Sequence, residues 1–264
     1  MEQSPQRPVG HVVDDGMPEC GYGSTRRADP RILQRIAKAV GGAPSVVNIG
    51  AGTGAYEPPN RRVVAIEPSD LVIAQRRTGA APVVKAAAEA LPFKDGGYSA
   101  AMAVLTIHHW DDPLAGLREM RRVARRRAVV MTLDPTTIDD FWLYEYFPDI
   151  ARADARRFPT LDEITSTLGG DVRVEVVPIP HDCRDGFLGA YWRRPSMYLA
   201  RHVRRSISTL AEVGDDELLD GLAMLSEDLR SGAWDRANAW LIDRDELDLG
   251  YRLVVAEYGD PPTA

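Results

Sequence analysis

The chain has few cysteines, no long apolar run and no excess of basic residues, and each shortage excludes a class of protein. Its 264 residues include only Cys20 and Cys183, too few for a disulfide framework or a zinc site, which favours a reducing, cytoplasmic compartment. No apolar run approaches the roughly 20 residues that cross a bilayer, and the first residues lack the layout of a signal peptide. The net charge of −7 argues against a nucleic-acid partner, which attracts clustered lysine and arginine. We therefore expect no membrane or nucleic-acid partner and either a monomer or a homodimer.

Short apolar runs alternate with helical segments along most of the chain. Runs at 46–49, 63–66 and 99–106 have the composition of strands that are buried in a parallel sheet. Asp29-Pro30 and Asp112-Pro113 predict helix starts, because aspartate caps a helix and proline suits its first turn. The alternation predicts an α/β fold with a doubly wound, seven-stranded, mostly parallel Rossmann-like sheet.

A long segment separates the sixth predicted strand, at 172–179, from the seventh, at 251–258. Roughly 70 residues lie between them, whereas neighbouring strands are usually joined by a few. We therefore predict a helical cap inserted between strands six and seven. The expected divisions are a mobile N-terminal arm, a nucleoside-binding core, the cap, and a closing strand with its tail, at 1–21, 22–180, 181–248 and 249–264.

Two further helices are predicted from local signals. One begins at Ser69-Asp70 and continues to about residue 79, and the other covers residues 139–155. The second carries aromatic side chains at spacings that point in several directions. We expect about half of them to be core and the rest to form an apolar substrate wall; they are Phe141, Trp142, Tyr144, Tyr146 and Phe147.

A glycine-rich turn and an acidic strand end indicate a nucleoside site. Gly50, Gly52 and Gly54 follow the first strand at alternate positions, and glycine lets backbone N–H groups approach a ligand closely. Glu67 ends the second strand, where a carboxylate can accept both ribose hydroxyls. These features alone indicate a nucleoside-containing cofactor without choosing which one.

Four motifs in a fixed order make that choice. They are residues 48–54, Glu67-Pro68, residues 88–93 and residues 106–110. Together they resemble the motifs of class I S-adenosylmethionine-dependent methyltransferases of the ubiquinone-type methyltransferase 11 group, and residues 22–31 are similar to the N-terminal segment of actinobacterial members. The resemblance implies S-adenosylmethionine-dependent methyl transfer. We expect the acceptor to be an O or N nucleophile of a small, partly aromatic molecule that can be anionic, with secondary metabolism as the setting.

The resemblance also implies a set of residues that bind S-adenosylmethionine. Glu67 would hold the ribose, residues near Ala88 would border the adenine, and Thr106 with His109 would face the methionine portion and its methyl group. The complete implied set is Tyr22, Arg26, Asn48, Gly50, Ala51, Gly52, Glu67, Pro68, Ala88, Glu89, Leu91, Thr106 and His109. Two positions depart from the family pattern: Asn48 replaces a usual acid, and Ala87 replaces a common aspartate that contacts the adenine amino group.

The segment after the sixth predicted strand is the candidate acceptor site. Ligands bind beyond the carboxyl ends of strands in open α/β sheets, and His181 there carries an imidazole, the side chain most often used as a general base. His109 is the other catalytic candidate. The predicted substrate contacts, whose arginines would suit an anionic group, are Asp182, Arg184, Tyr191, Trp192 and Arg193. An equally weighted interpretation is a salt-bridge and capping cluster at the base of the cap.

Two other functions stay open on the sequence. A nicotinamide-dependent reductase would also use Glu67, but the spacing of Gly50, Gly52 and Gly54 is not the dinucleotide pattern and no Tyr-x-x-x-Lys relay occurs. A cofactor-binding protein without turnover is the second alternative, because Asn48 and Ala87 depart from the family pattern. The sequence predicts no metal site.

Overall fold

The structure is a computed structural model that describes residues 26–213, 216 and 218–259. Tyr22 and the predicted arm at 1–21 lie outside the described residues. Within the described chain the strands are β1 Ser45–Ile49, β2 Arg62–Ile66, β3 Val83–Val84, β4 Tyr98–Val104, β5 Ala124–Leu133, β6 Asp171–Val176, β7 Ile179–Pro180, β8 Glu246–Leu247 and β9 Tyr251–Glu257.

The helices of the described chain lie on both faces of the sheet and in the segment between β6 and β9. The α-helices are α1 Pro30–Val40, α2 Asp70–Ala74, α3 Pro113–Val123, α4 Leu143–Tyr146, α5 Pro148–Arg157, α6 Leu161–Leu168, α7 Arg201–Arg204, α8 Ser208–Val213, α9 Leu219–Ser231 and α10 Ala233–Ala237. The 3₁₀ turns are Ile107–His109, Pro135–Asp140, Leu188–Tyr191, Pro195–Leu199 and Ala239–Leu241.

Seven strands form the main sheet in the order β3-β2-β1-β4-β5-β9-β6. Strands β1 to β5 run parallel to one another, whereas β9 is antiparallel to both β5 and β6. In the register of the central strands, Val46 of β1 lies opposite Val63 of β2 and Ala100 of β4. The prediction of a seven-stranded, mostly parallel Rossmann-like sheet is confirmed.

The helix starts follow the local chemistry of the sequence. Asp29 caps α1 by accepting a hydrogen bond from the Arg31 backbone N–H, and Asp112 caps α3 in the same way through Ala115. At α6, Thr160 and Glu163 form a capping box in which each side chain accepts from the other residue's backbone N–H. These caps place α1 and α3 against opposite faces of the sheet, where their apolar sides join two separate core clusters.

Three predicted elements differ from the structure. Helix α2 ends at Ala74 and does not continue to residue 79. The predicted helix at 139–155 is divided into a 3₁₀ turn, α4 and α5, because Pro148 lacks a backbone N–H and begins a new helix. The predicted strand at 172–179 leaves the main sheet after Val176, and Ile179–Pro180 pairs instead with Glu246–Leu247.

The five aromatic residues near α4 are all buried at 9% exposure or less. Trp142 packs edge-on against Tyr198 and Trp234, with ring centroids 5.7 and 5.2 Å away, and its Nε1 donates to the Trp192 carbonyl. This side of the structure is therefore a core between the sheet and the segment that joins β6 to β9. The expectation that half of the aromatic residues form a substrate wall is not met, because none of them lines the cavity described below.

The segment between β6 and β9 begins and ends at the short β7–β8 pair. Helices α7 to α10 and three 3₁₀ turns fill the interval. The division of the chain into arm, core, cap and tail stays a prediction. Among the described residues no helix combines the length and the apolar character that crossing a membrane requires.

Candidate active site

A cavity of about 400 Å³ opens beyond the carboxyl ends of β1, β2 and β4. Of the predicted cofactor-binding residues that the structure describes, all except Leu91 line it. Leu91 is buried in the neighbouring core, and its backbone N–H donates to Glu119 Oε2 at 2.9 Å. The parallel strands thus bring residues that are far apart in sequence to one edge of the sheet.

The glycine turn after β1 has a conformation that a side chain would disturb. Gly50 has a φ of +64°, and a Cβ at this position would lie 2.1 Å from Thr106 Oγ1. The following N–H, on Ala51, donates to the Ile66 carbonyl at 2.9 Å and joins the turn to β2. Glycine is therefore required at position 50 both for backbone conformation and for space.

Leu105, directly after β4, also has a positive φ, at +51°. This conformation is uncommon for a leucine and is strained unless the surroundings hold it. Its backbone N–H donates to the Met131 carbonyl at 2.8 Å, and the residue lines the cavity. The strand end is thus held in a rare backbone state at the cavity wall.

The Glu67 carboxylate joins the end of β2 to the glycine turn. Its Oε2 accepts from the Gly52 N–H at 3.0 Å, and its Oε1 accepts from the Ser69 N–H at 3.1 Å. Each carboxylate oxygen has a second lone pair, so both can still accept hydroxyl groups. Glu67 is 8% exposed and faces the cavity, as a ribose-binding residue must.

A buried ion pair behind the turn was not predicted from the sequence. Arg76 donates to the Gly52 carbonyl at 2.8 Å and to Glu57 Oε1 at 2.5 Å, while Glu57 Oε2 accepts from the Ala81 N–H at 2.7 Å. Both side chains are about nine-tenths buried. No motif contains this pair, because it joins segments that only the fold brings together.

One end of the cavity has the lining expected around an adenine ring. Pro68 and residues 86–89 lie there, and Ala87 offers no polar group to the ring. Glu89 Oε1 already accepts from the Asp112 N–H at 3.1 Å. Asp111, which was not among the predicted site residues, also lines this cavity.

The other end of the cavity is formed partly by the segment between β6 and β9. Ser208 and Glu212 of α8 contribute to the lining, together with Tyr56, Arg26 and His109. Ser208, Tyr56 and Glu212 were not predicted, since no local pattern relates them to the glycine turn. This end therefore combines two hydroxyl groups, a guanidinium, a carboxylate and an imidazole.

His108 and His109 follow β4 in a 3₁₀ turn, and their rings are in contact at an interplanar angle of 44°. Their centroids are 4.0 Å apart, and the His108 ring also stacks on Phe158 at 4.2 Å. Desolvation lowers the pKa of His109 below its ordinary value, although Glu212 acts in the opposite direction. His109 retains solvent access at the cavity wall, so it is a neutral imidazole at neutral pH that can exchange a proton.

His108 is held neutral by its surroundings. Burial is the largest cause that lowers its pKa well below the ordinary value, and Nδ1 has no hydrogen-bond partner in the described part of the chain. A charged ring there would be poorly solvated. The ring acts as an aromatic spacer between His109 and Phe158.

His108→Phe is expected to reduce the loss of stability at acidic pH. The folded ring has a lower pKa than the unfolded ring, near 6.5, so the unfolded chain binds more protons as the pH falls. Above about pH 6.5 the His108 ring is neutral in both states and costs no stability. The free energy of unfolding falls as the pH drops from that value toward the pKa of the folded ring. Urea unfolding at pH 8.0, 6.5 and 5.5 measures the change. His202→Phe, at an exposed position in α7, is the control, and an equal flattening in both variants would contradict the assignment.

The predicted acceptor segment lies beside the start of α1 and not in the cavity lining. Asp182 pairs with Arg31 at 2.8 Å, and the Arg184 N–H donates to Asp29 Oδ2 at 3.1 Å. His181 Nδ1 lies 3.1 Å from the Asp245 carbonyl, beside the β7–β8 pair. The Asp182 side chain and the Arg184 backbone thus attach the segment to the core, as in the salt-bridge and capping interpretation, whereas His181 joins the two ends of the segment.

The remaining predicted substrate residues are also outside the cavity lining. Trp192 is fully buried and donates from Nε1 to the Ile179 carbonyl at 2.9 Å. Tyr191 is buried beside Tyr198, and Arg193 donates to the Ile242 and Arg244 carbonyls at 2.8 Å. Long-range packing, which local patterns do not reveal, places them there. Within the described residues no cluster of three or more His, Cys, Asp or Glu side chains is arranged to hold a metal ion.

Known proteins resemble this chain in both sequence and fold. A family model described as a methyltransferase domain matches residues 47–132. A solved structure from Anabaena variabilis, provisionally described as a methyltransferase from an antibiotic biosynthesis pathway, is 31% identical, and the alignment covers 88% of this chain and 98% of that one with a TM-score of 0.81. The rice enzyme 2-methyl-6-phytyl-1,4-hydroquinone methyltransferase 2 is 28% identical over 115 residues, which cover 40% of this chain but only 33% of the rice protein.

The chain belongs to the class I S-adenosylmethionine-dependent methyltransferases. The cofactor of the family is S-adenosylmethionine, and the residues present fit it. The glycine turn at residues 50–52, the Glu67 carboxylate and the apolar lining near Ala88 match its amino-acid, ribose and adenine portions in turn.

Proposed function

We propose that this protein transfers the methyl group of S-adenosylmethionine to an oxygen or nitrogen nucleophile of a small molecule in secondary metabolism. The observation that carries the proposal is one continuous cavity with the glycine turn and Glu67 at one end and His109, Ser208 and Glu212 at the other. The names of the two relatives, a hydroquinone methyltransferase and a methyltransferase of an antibiotic pathway, support a small acceptor.

The charges at the end of the cavity that α8 helps to form favour an uncharged acceptor, such as a phenol. Arg26 is paired with Asp185 at 3.0 Å, and Glu212 is paired with Arg157 at 2.5 Å. Each charge that faces the acceptor side is therefore balanced by a neighbour. The arginines predicted to receive an anion, Arg184 and Arg193, do not line this cavity.

The protein contributes position, exclusion of water and a proton acceptor. When bound, S-adenosylmethionine supplies a methyl group that is already activated by the positive sulfur. Leu105 and α8 would enclose the acceptor side, limit the access of water and keep the nucleophile close to the methyl group. For a hydroxyl nucleophile, an imidazole nitrogen of His109 would take the proton as the oxygen–carbon bond forms and the bond between the methyl carbon and the donor sulfur breaks.

His109→Gln is expected to lower kcat by roughly a hundredfold, the usual contribution of a general base, while the dissociation constant for S-adenosylhomocysteine changes less than about threefold. The kcat of the wild type should fall at acidic pH as His109 becomes protonated, and the variant should lack this fall. Radiolabel transfer from the methyl donor at pH 5.5 to 9 gives both quantities. His181→Ala is the control and should retain normal turnover, since His181 lies beside β8. Normal turnover in His109→Gln would remove the base from the mechanism.

Calorimetry and product analysis separate the alternatives. The proposal expects binding heat with S-adenosylhomocysteine and none with NADH, since the glycine spacing does not suit a dinucleotide. Binding heat with NADH alone would support the reductase. A methyl transfer screen of uncharged phenols, aromatic carboxylates and amines, monitored by mass spectrometry, then tests the acceptor. Binding without any methylated product across the screen would support a protein that binds the cofactor without turnover.

A further inference from the structure

We propose that Asp185 is a positioning residue that holds Arg26 and Tyr56 in the cavity wall. Its side chain is fully buried and accepts from Arg26 Nε at 3.0 Å through Oδ1 and from the Tyr56 hydroxyl at 2.8 Å through Oδ2. The Gly186 N–H donates to Oδ1 at 2.7 Å. The proposal rests on the assignment of this cavity to S-adenosylmethionine and its acceptor.

Three distant parts of the chain meet at this carboxylate. Arg26 precedes α1, Tyr56 follows the glycine turn, and Asp185 follows β7. Arg26 and Tyr56 both line the cavity, whereas Asp185 stands behind them. Asp185 can therefore act on a ligand only through these two side chains.

The chemistry of the cluster makes the arrangement specific. A buried carboxylate is stable only when charged or hydrogen-bonding partners surround it, so the three donors must be present together. Burial and the neighbouring Asp185 raise the pKa of Tyr56, which keeps its hydroxyl protonated and able to donate. A hydrogen bond to a charged group is stronger than a neutral one, and its short length limits the movement of both donors.

The cluster does more than attach its segment to the core. The same segment is already attached to the start of α1 by the Asp182–Arg31 pair and by the Arg184 N–H on Asp29. Asp154 is a structural buried aspartate for comparison. It accepts from Tyr144 and Thr209, and neither of these partners lines the cavity. Asp185 differs because its partners Arg26 and Tyr56 line the cavity.

The inference is tested by a double-mutant cycle on binding of S-adenosylhomocysteine, measured by calorimetry in the full chain. Asp185→Asn keeps the size of the side chain and removes its charge. We expect it to raise the dissociation constant about tenfold, as the loss of a charged hydrogen bond does. Because Asp185 acts through Arg26 as well as Tyr56, Asp185→Asn combined with Arg26→Gln should lose clearly less affinity than the product of the two single effects.

Asp154→Asn is the matched control, because it removes the charge of an equally buried aspartate that also accepts from a tyrosine. It should lower thermal stability but change the dissociation constant less than about twofold. Equal losses of affinity in the two variants, or additive losses in the cycle, would show that Asp185 is only structural. Absence of S-adenosylhomocysteine binding by the folded wild-type chain would instead refute the cofactor assignment.

A second cycle applies if Asp185→Asn does not fold by circular dichroism. Tyr56→Phe removes one donor of the cluster and leaves the carboxylate paired with Arg26. Combined with Arg26→Gln, it should lose at least threefold less affinity than the product of the two single effects, because Asp185 couples the two positions. Independent effects would overturn the proposal.

Discussion

Glu67→Ala is expected to raise the dissociation constant for S-adenosylhomocysteine by roughly tenfold to a hundredfold. The variant loses a charged acceptor for the ribose hydroxyls, which corresponds to about 1.5–3 kcal/mol. It also releases the Gly52 N–H from Oε2, so the glycine turn becomes less fixed. Both effects act on binding in the same direction. Isothermal titration calorimetry measures the change directly.

The control for this variant is Asp70→Ala, which removes a nearby negative charge outside the cavity. Asp70 is exposed and pairs with Lys85 on the surface, so the Asp70→Ala variant should bind S-adenosylhomocysteine as tightly as the wild type does. Thermal unfolding of each variant without ligand separates loss of binding from loss of fold. Unchanged affinity in Glu67→Ala would place the ribose elsewhere.

Gly50→Ala is expected to lower the free energy of unfolding by about 3 kcal/mol and to abolish measurable cofactor binding. The new Cβ would lie 2.1 Å from Thr106 Oγ1, and the φ of +64° is unfavourable for alanine. Thr106 is buried except where it lines the cavity, so its side chain could relieve the clash only by moving into the space of the ligand. Urea unfolding and calorimetry measure the two effects.

Two further variants separate the clash from the backbone conformation. Gly52→Ala also has a positive φ, of +54°, but its Cβ meets nothing within 4 Å, so it should cost only about 1 kcal/mol. Gly50→Ala combined with Thr106→Ala removes the nearest obstructing atom and should recover part of the lost stability. Equal destabilisation in Gly50→Ala and Gly52→Ala would contradict the steric explanation.

The sheet and the cofactor end of the cavity were predictable because their signals are local. Apolar runs identify the buried strands, and a glycine turn followed by an acid at the next strand end identifies the nucleoside site. Gly50 and Glu67 therefore appear in the structure where the sequence predicts them. A parallel sheet places all such strand ends at one edge, so the topology converts the order of motifs into proximity.

The acceptor end could not be predicted, since it depends on contacts between distant segments. Ser208 and Glu212 reach the cavity only because α8 packs above it. His181, Arg184 and Trp192 have the chemistry of a binding site, but the side chains of His181 and Trp192 contact remote backbone carbonyls, and the Arg184 backbone N–H donates to the Asp29 carboxylate outside the cavity. Residue type and nearness to a strand end were therefore insufficient to identify the residues at the acceptor end. The partner of each polar group decides its role.

The position of β9 has a consequence for how the chain reaches its native state. Among the described strands β9 comes last in sequence, yet it lies between β5 and β6 and is the one neighbour of β6 in the main sheet. A nascent chain that has left the ribosome only as far as residue 250 has no template for β6. Correct assembly must wait for the final strand, and long-range pairing of this kind is slow. During synthesis, the exposed borders of β5 and β6 are the surfaces that a chaperone would shield.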